Sequence, residues 1–225
     1  MVGVLDELPP LYHEYSFFGV SNKQCAGIYA LNQKSKSPII TAYIALAIAK
    51  SRVHAEDDVS FVELFCADGY YAMVAARLGC TMSYGVDSNR DGHLTYAPKI
   101  AELLGIKSMG FAEHVLTRDS IYEADIVANI GGLYHVEDPE GVLVNSYNNA
   151  RKFLIIQNVV SLAEQDEDYY ESPAPGWTWG NRYSRKSFDK LVRRCCPKVV
   201  DCHFNELEGN SRMEDRGSAY YLIEK

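Results

Sequence analysis

Between residues 59 and 160 the chain alternates short apolar runs with segments of helical period. This rhythm constrains the fold more than any other feature. Val59 to Phe65, Met82 to Val86, Asp125 to Ile130 and Phe153 to Val160 are too short for buried helices and rich in β-branched or aromatic residues. They read as strands buried on both faces, as in a parallel sheet. Lys107 to Phe111 is a weaker strand. The segments between them, Tyr71 to Leu78, 93–104 and Asp138-Pro139 to Ala150, read as helices. Strand and helix in alternation predict an α/β sandwich of three layers. Two closing strands, Val199 to Phe204 and Ala219 to Ile223, have no clear helix between them. They predict a hairpin, and so one antiparallel strand near the edge of a seven-stranded, mostly parallel sheet.

The flanks are less regular. Residues 1–36 mix aromatic and polar residues without a period. Ser37-Pro38 reads as an N-cap with proline in the first turn, and Ile39, Ile40, Tyr43, Ile44 and Ile48 extend that helix over 38–52. Residues 161–181 are acidic, then aromatic and rich in Gly and Pro, which predicts a loop or lid. Ser184 caps a helix to about Arg194. The expected organisation is an N-terminal helical segment over 1–54 and one domain over 55–225.

A length of 225 residues suits one such domain. The net charge of −8 argues against a duplex-binding surface, despite local clusters at Arg182 to Lys186 and at Arg193-Arg194. The six cysteines form no CxxC pair and no zinc spacing, so no metal is expected. Two lie in apolar segments, as thiols of a reducing compartment do. Asp6, Glu7 and Pro9-Pro10 do not fit a signal peptide, and the longest apolar run, about Pro38 to Ile48, is too short to span a membrane. The expectation is a cytoplasmic protein without a membrane partner.

In an open α/β sheet, ligands bind beyond the carboxyl ends of the strands. After the first strand comes Val62-Glu-Leu-Phe-Cys-Ala-Asp-Gly69, leading into a helix whose N–H groups can meet an anion. After the second comes Gly85-Val-Asp87, where a carboxylate can accept both hydroxyls of a ribose, followed by Ser88. Each feature alone has a plainer reading: a turn that needs Gly69 for geometry, and Asp87 as a helix cap.

Together these segments resemble the class I S-adenosylmethionine (SAM)-dependent methyltransferases. That family's first motif runs hydrophobic, acidic, x, Gly, x, Gly, x, Gly. Glu63 takes the acidic position, and Phe65, Ala67 and Gly69 take the glycine positions. Asp87 matches the ribose-binding acid, and Gly110-Phe-Ala-Glu113 matches the end of the third strand, where a polar residue meets the adenine. Asp125 to Pro139, containing Leu133-Tyr-His135, resembles the segment at the fourth strand and is the most specific match. The resemblance implies a Rossmann-like sheet of order 3-2-1-4-5-7-6 with an N-terminal helical cap over the acceptor pocket. It also implies SAM as cofactor and S-adenosylhomocysteine as product. Glu63 to Gly69, Asp87, Ser88, Glu113, His114, Asn129 and Ile130 would hold that cofactor. Ala67 adds one methyl to the motif, and Phe65 adds a ring that either turns into the core or covers the cofactor. Asp68 can accept from the SAM ammonium, but it repels the carboxylate.

Methyl transfer needs a base only where the acceptor must lose a proton. His135, after strand 4 on the ligand side, is the candidate, since imidazole exchanges protons near neutrality; packing beside Asp138-Pro139 is the alternative. His13, His54, His93 and His203 belong to no motif and read as surface or structural residues. Tyr134, Trp177, Trp179 and Arg182 lie after strands 4 and 5, where rings and a guanidinium can stack on and pair with an acceptor. The expected partner is a small molecule methylated at O or N. Two other readings remain open: a SAM- or nucleoside-binding protein without catalysis, and a methyltransferase acting on RNA or protein. Dinucleotide binding is disfavoured, because Asp68 opposes a pyrophosphate and only Gly69 remains of a glycine-rich turn.

Overall fold

The computed structural model describes residues 4–54, 56–174 and 180–225. Among the described residues nine strands form in chain order: β1 Ser60–Leu64, β2 Met82–Asp87, β3 Met109–Glu113, β4 Ala124–Ile130, β5 Ala150–Val160, β6 Tyr170–Glu171, β7 Arg182–Tyr183, β8 Val199–Glu206 and β9 Gly217–Glu224. Five helices accompany them: α1 Tyr29–Ser51, α2 Tyr70–Arg77, α3 Ala97–Leu103, α4 Pro139–Asn149 and α5 Arg185–Cys195. The main sheet has seven strands in the order β3-β2-β1-β4-β5-β9-β8. The first five pair in parallel, and β9 runs antiparallel to both β5 and β8. Counted without the small β6–β7 ribbon, this is the expected order 3-2-1-4-5-7-6.

The alternation of side chains along each strand builds two cores. Phe61, Ile126, Ala128, Phe153 and Ile155 face α1, α2 and α3, whereas Val62, Leu64, Val127, Leu154 and Ile156 face α4 and α5. Leu5, Leu11, Tyr15, Phe18 and Val20 of the N-terminal segment join the first core. That segment contributes a single 3₁₀ turn, Ser16–Phe18, before α1.

Two expectations at the flanks are corrected. The first helix does not begin at Ser37-Pro38; it starts nine residues earlier, at Tyr29, and Pro38 lies inside it. Ile28 provides no side-chain cap, so nothing in the sequence marks the start. Pro38 is tolerated because its ring is on the exposed side, while Ile40, Tyr43, Ile44, Ala47 and Ile48 bury against the sheet. The 161–181 segment is not wholly a loop, since Tyr170–Glu171 pairs with Arg182–Tyr183. Ser184 caps α5 as expected, in a capping box closed by Ser187. Among the described residues no helix is long and apolar enough to cross a membrane, and no cluster of His, Cys, Asp and Glu is arranged to hold a metal ion.

Candidate functional site

The loop from β1 to α2 carries three left-handed residues at alternate positions: Phe65 (φ 63°), Ala67 (φ 48°) and Gly69 (φ 77°). Only glycine adopts this conformation freely, and each L-residue there costs about 1–2 kcal/mol. The strain is held by bonds at both ends of the loop. Cys66 N–H donates to the Val86 carbonyl at 3.0 Å, and Ala67 N–H donates to Asp87 Oδ2 at 3.0 Å. Glu63, buried at the end of β1, accepts from Ala72 N–H of α2 at 2.7 Å. Burial pushes its carboxyl group well above the usual range, with Asp68 and Asp87 adding to the rise. Gly69 is required twice over, because a Cβ there would lie 2.4 Å from the Phe111 ring. The Phe65 ring packs on Gly132, where a Cβ would come within 1.9 Å of it.

Beyond this loop lie two adjoining chambers. The outer, of about 520 Å³, opens over the carboxyl ends of β1, β2 and β4. Glu63, Phe65 and Ala67 line it, as do Asp87, Ser88, His114, Ile130 and Gly131. The inner, of about 150 Å³, lies between the start of α1 and the ends of β5 and β8, and is lined by Tyr29, Asn32, Gln33, Arg182, Asn210 and Asp215 among others. Tyr12, His13, Lys36, Tyr134 and His135 line both.

Asp87 stands at the outer wall. Its two oxygens accept from Ala67 N–H at 3.0 Å and from Asn89 N–H at 2.7 Å. A carboxylate has about four acceptor sites, so two remain for a ligand. Burial pushes Asp87 up, and the two backbone donors oppose that.

Four expected cofactor residues are placed elsewhere; one is Gly69, the N-cap of α2, which lines neither chamber. Glu113 is exposed and accepts from Asn89 Nδ2 at 2.9 Å, outside both chambers; His114, Val115 and Leu116 line the outer chamber at that end instead. Asn129 is buried on the opposite side of β4, donating to Ser146 of α4 at 3.0 Å, because successive side chains of a strand face opposite ways. Asp68 lines neither chamber, and both of its carboxylate oxygens are taken by His13.

Of the expected acceptor residues, Arg182 reaches the inner chamber with its charge already met. Its Nε donates to Asp215 at 2.6 Å, its Nη1 to the Asn181 carbonyl at 2.7 Å, and its guanidinium lies 5.4 Å from the Tyr134 ring centre. Trp177 and Trp179 lie outside the described residues. His135 stands where the chambers meet. Its Nδ1 is buried without a hydrogen-bond partner. Burial lowers its pKa to about 4, with Arg90 and then Arg182 contributing. It is therefore neutral at pH 7, an acceptor of hydrogen bonds and a poor holder of protons.

The sequence reading missed His13 and Lys36. Lys36 is directed at both chambers from α1, and burial lowers it to about 8 while Glu63 partly opposes the shift. Its position in an aperiodic stretch, before a mistaken helix start, concealed it. His13 was concealed by distance along the chain, and Asp68, its partner, was read as a cofactor residue instead.

No family model and no curated protein matches the sequence. Solved structures do. The magnesium protoporphyrin IX methyltransferase ChlM from Synechocystis PCC 6803, with bound SAM, superposes at a TM-score of 0.61 with 13% identity, covering 89% of this chain and 85% of that one. The N-terminal domain of EvdMO1, in the presence of S-adenosylhomocysteine and D-fucose, gives a TM-score of 0.64 at 16% identity, with 97% and 92% covered. The [4+2]-cyclase SpnF gives 0.62 at 14% identity, with 82% and 81% covered. At such identities the likeness concerns the backbone: the chain has the class I, Rossmann-like fold of SAM-dependent methyltransferases.

Proposed function

We propose that this protein transfers a methyl group from SAM to an oxygen or nitrogen of a small-molecule acceptor. One observation carries the reading. The β1–α2 loop keeps the left-handed conformation at all three glycine positions of the motif, although two of them are Phe and Ala. Backbone strain of this kind persists where the surrounding structure enforces it, and it gathers at ligand sites. SAM and its product, bound in the neighbours ChlM and EvdMO1, are the ligands such a loop would take.

When bound, SAM supplies an electrophilic methyl on a sulfonium; the protein supplies position. The free acceptor sites of Asp87 suit ribose hydroxyls. Ser88, His114 and Ile130 would flank the nucleoside, and Phe65 and Ala67 would underlie the chain that bears the sulfur. The inner chamber, small and lined by polar and apolar residues alike, would take the acceptor. Tyr134 and Arg182 form its wall, and neutral His135 would accept a hydrogen bond where the chambers meet. The small inner chamber and the charge of −8 favour a small acceptor over RNA or protein.

Titration calorimetry with S-adenosylhomocysteine, with NAD in a parallel cell, tests the cofactor. Micromolar binding of the first and none of the second is expected; binding of neither would overturn the reading. A second reading is SAM binding without methyl transfer. It is favoured by Phe65 on the chamber wall and by the fact that SpnF, with the same fold, is described as a cyclase. Tight binding of S-adenosylhomocysteine without release of label from methyl-labelled SAM, over a broad acceptor panel, would select it.

A further inference from the structure

We propose that His13, oriented by Asp68, is the base that takes the proton from the acceptor. The inference rests on the transferase reading above and assigns a catalytic residue from outside every recognised motif.

The two residues are 55 positions apart and joined twice. His13 N–H donates to Asp68 Oδ2 at 2.9 Å, and His13 Nδ1 lies 2.6 Å from Asp68 Oδ1. Both are buried, at 5% and 1% exposure. An ionised carboxylate only accepts, so Nδ1 is the donor to Asp68, and Nε2 is the nitrogen left to take a proton in the tautomer that the bond selects. Nε2 has no hydrogen-bond partner among the described residues. Asp68 lines neither chamber and His13 lines both. The two ring nitrogens point in nearly opposite directions, so an imidazole tied to Asp68 through Nδ1 turns Nε2 toward the cavity. The ring cannot swing away. It stacks on Tyr70 at 4.8 Å, and the edges of Tyr12 and Tyr71 hold it at 4.8 and 5.4 Å. Tyr15 fixes the loop as well, donating its hydroxyl to the Asp68 carbonyl at 3.2 Å.

This is the arrangement of a base oriented by a third group. It also gives Asp68 a role that capping does not, since its carboxylate oxygens accept from His13 and from no N–H of α2. His135 has no such support: its Nδ1 is unpartnered, and burial lowers it to about 4. In the reaction the acceptor's O–H or N–H bond breaks and its proton passes to His13 Nε2. The electron pair left on the acceptor atom bonds to the methyl carbon. The carbon–sulfur pair returns to sulfur, which leaves as the thioether. Asp68 balances the imidazolium until the proton passes to solvent. The acceptors that need this step carry their proton at neutral pH: alcohols, phenols and ammonium groups.

Diethylpyrocarbonate, which attacks the free lone pair of a neutral imidazole, probes the assignment on the full chain without an acceptor. With peptides mapped by mass spectrometry at pH 7, His13 is expected to be modified faster than His135, and Asp68→Asn should slow it. An unreactive His13 beside a modified His54 would overturn the proposal, whether or not an acceptor is known. The second arm follows label from methyl-labelled SAM over a panel of alcohols, phenols and amines. His13→Gln should lower kcat by about 100-fold while the Kd for S-adenosylhomocysteine holds. Asp68→Asn should move the acid limb of the pH–rate profile. Full turnover in His13→Gln would refute the role, and equal losses of turnover and S-adenosylhomocysteine affinity would reduce His13 to a structural residue. Failure of the wild-type chain to bind S-adenosylhomocysteine would instead remove the transferase reading, with the labelling result standing on its own.

Discussion

Asp87 and Ala67 are joined by a 3.0 Å hydrogen bond that ties the tip of β2 to the middle residue of the strained β1–α2 loop. One carboxylate thus shapes the loop and faces the outer chamber. Asp87→Asn keeps one acceptor oxygen and adds an amide that cannot accept from Ala67 or Asn89. The Kd for S-adenosylhomocysteine should rise by about 100-fold, equivalent to about 2.7 kcal/mol for lost bonds to a charged group. Calorimetry on the purified variant measures this. An unchanged Kd would remove the ribose assignment.

The two non-glycine residues of that loop should respond in opposite ways to glycine. Ala67 (φ 48°) gains relief of left-handed strain and loses little contact. After the entropy gained by the unfolded chain, Ala67→Gly should stabilise by about 0.5 kcal/mol, or about 1–2 °C in Tm. Phe65→Gly gains similar relief and loses the ring packed on Gly132, so it should destabilise by about 2 kcal/mol. Thermal melts of both variants decide the point, and a fall for Ala67→Gly would mean the methyl is held by contacts that outweigh the strain.

The centre of the sheet was legible because β1, β4 and β5 are buried on both faces, and such strands declare themselves as short apolar runs; the edge strand β3, only partly buried, read as a weaker one. The start of α1 was not, because helix formation there depends on packing of Ile40, Ile44 and Ile48 and not on a cap. In the site, Phe65, Ala67 and Asp87 were placed by their position after the first two strands together with the motif they resemble. Asn129 and Ile130 show the limit of such placement. They are neighbours on β4, yet one faces α4 and the other the chamber, because side chains alternate along a strand. The pairing of His13 with Asp68 is tertiary and leaves no trace in spacing.

Lys36 is an ammonium facing both chambers, lowered to about 8 mainly by burial. Such a group suits a carboxylate, and the methionine arm of the cofactor carries one. Lys36→Met should weaken S-adenosylhomocysteine by about tenfold and leave methylthioadenosine, which has no carboxylate, unaffected. Equal weakening of both would show that Lys36 only shapes the cavity. The sign of its effect on stability follows from the lowered pKa. Between about 8 and the unfolded value near 10.4 the unfolded chain binds more protons, so stability rises with pH across that window. Lys36→Met should flatten the rise in urea titrations.

His135 provides the matching test on the acid side. Its folded value of about 4 lies below the unfolded value near 6.5, chiefly because burial disfavours the charged ring. Between those values the unfolded chain takes up a proton that the folded chain refuses. The stability contributed by a neutral His135 is therefore fully present above about pH 6.5 and lost progressively as pH falls toward 4. His135→Gln keeps a polar side chain and cannot titrate, so the fall in unfolding free energy between pH 6.5 and 4 should be shallower in the variant. If neutral His135 only accepts a hydrogen bond from the acceptor, the same substitution should cost about tenfold in turnover, well short of the loss expected for His13→Gln. A His135 variant that loses as much activity as the His13 variant would return the base to His135, and would mean that a bound acceptor raises its pKa.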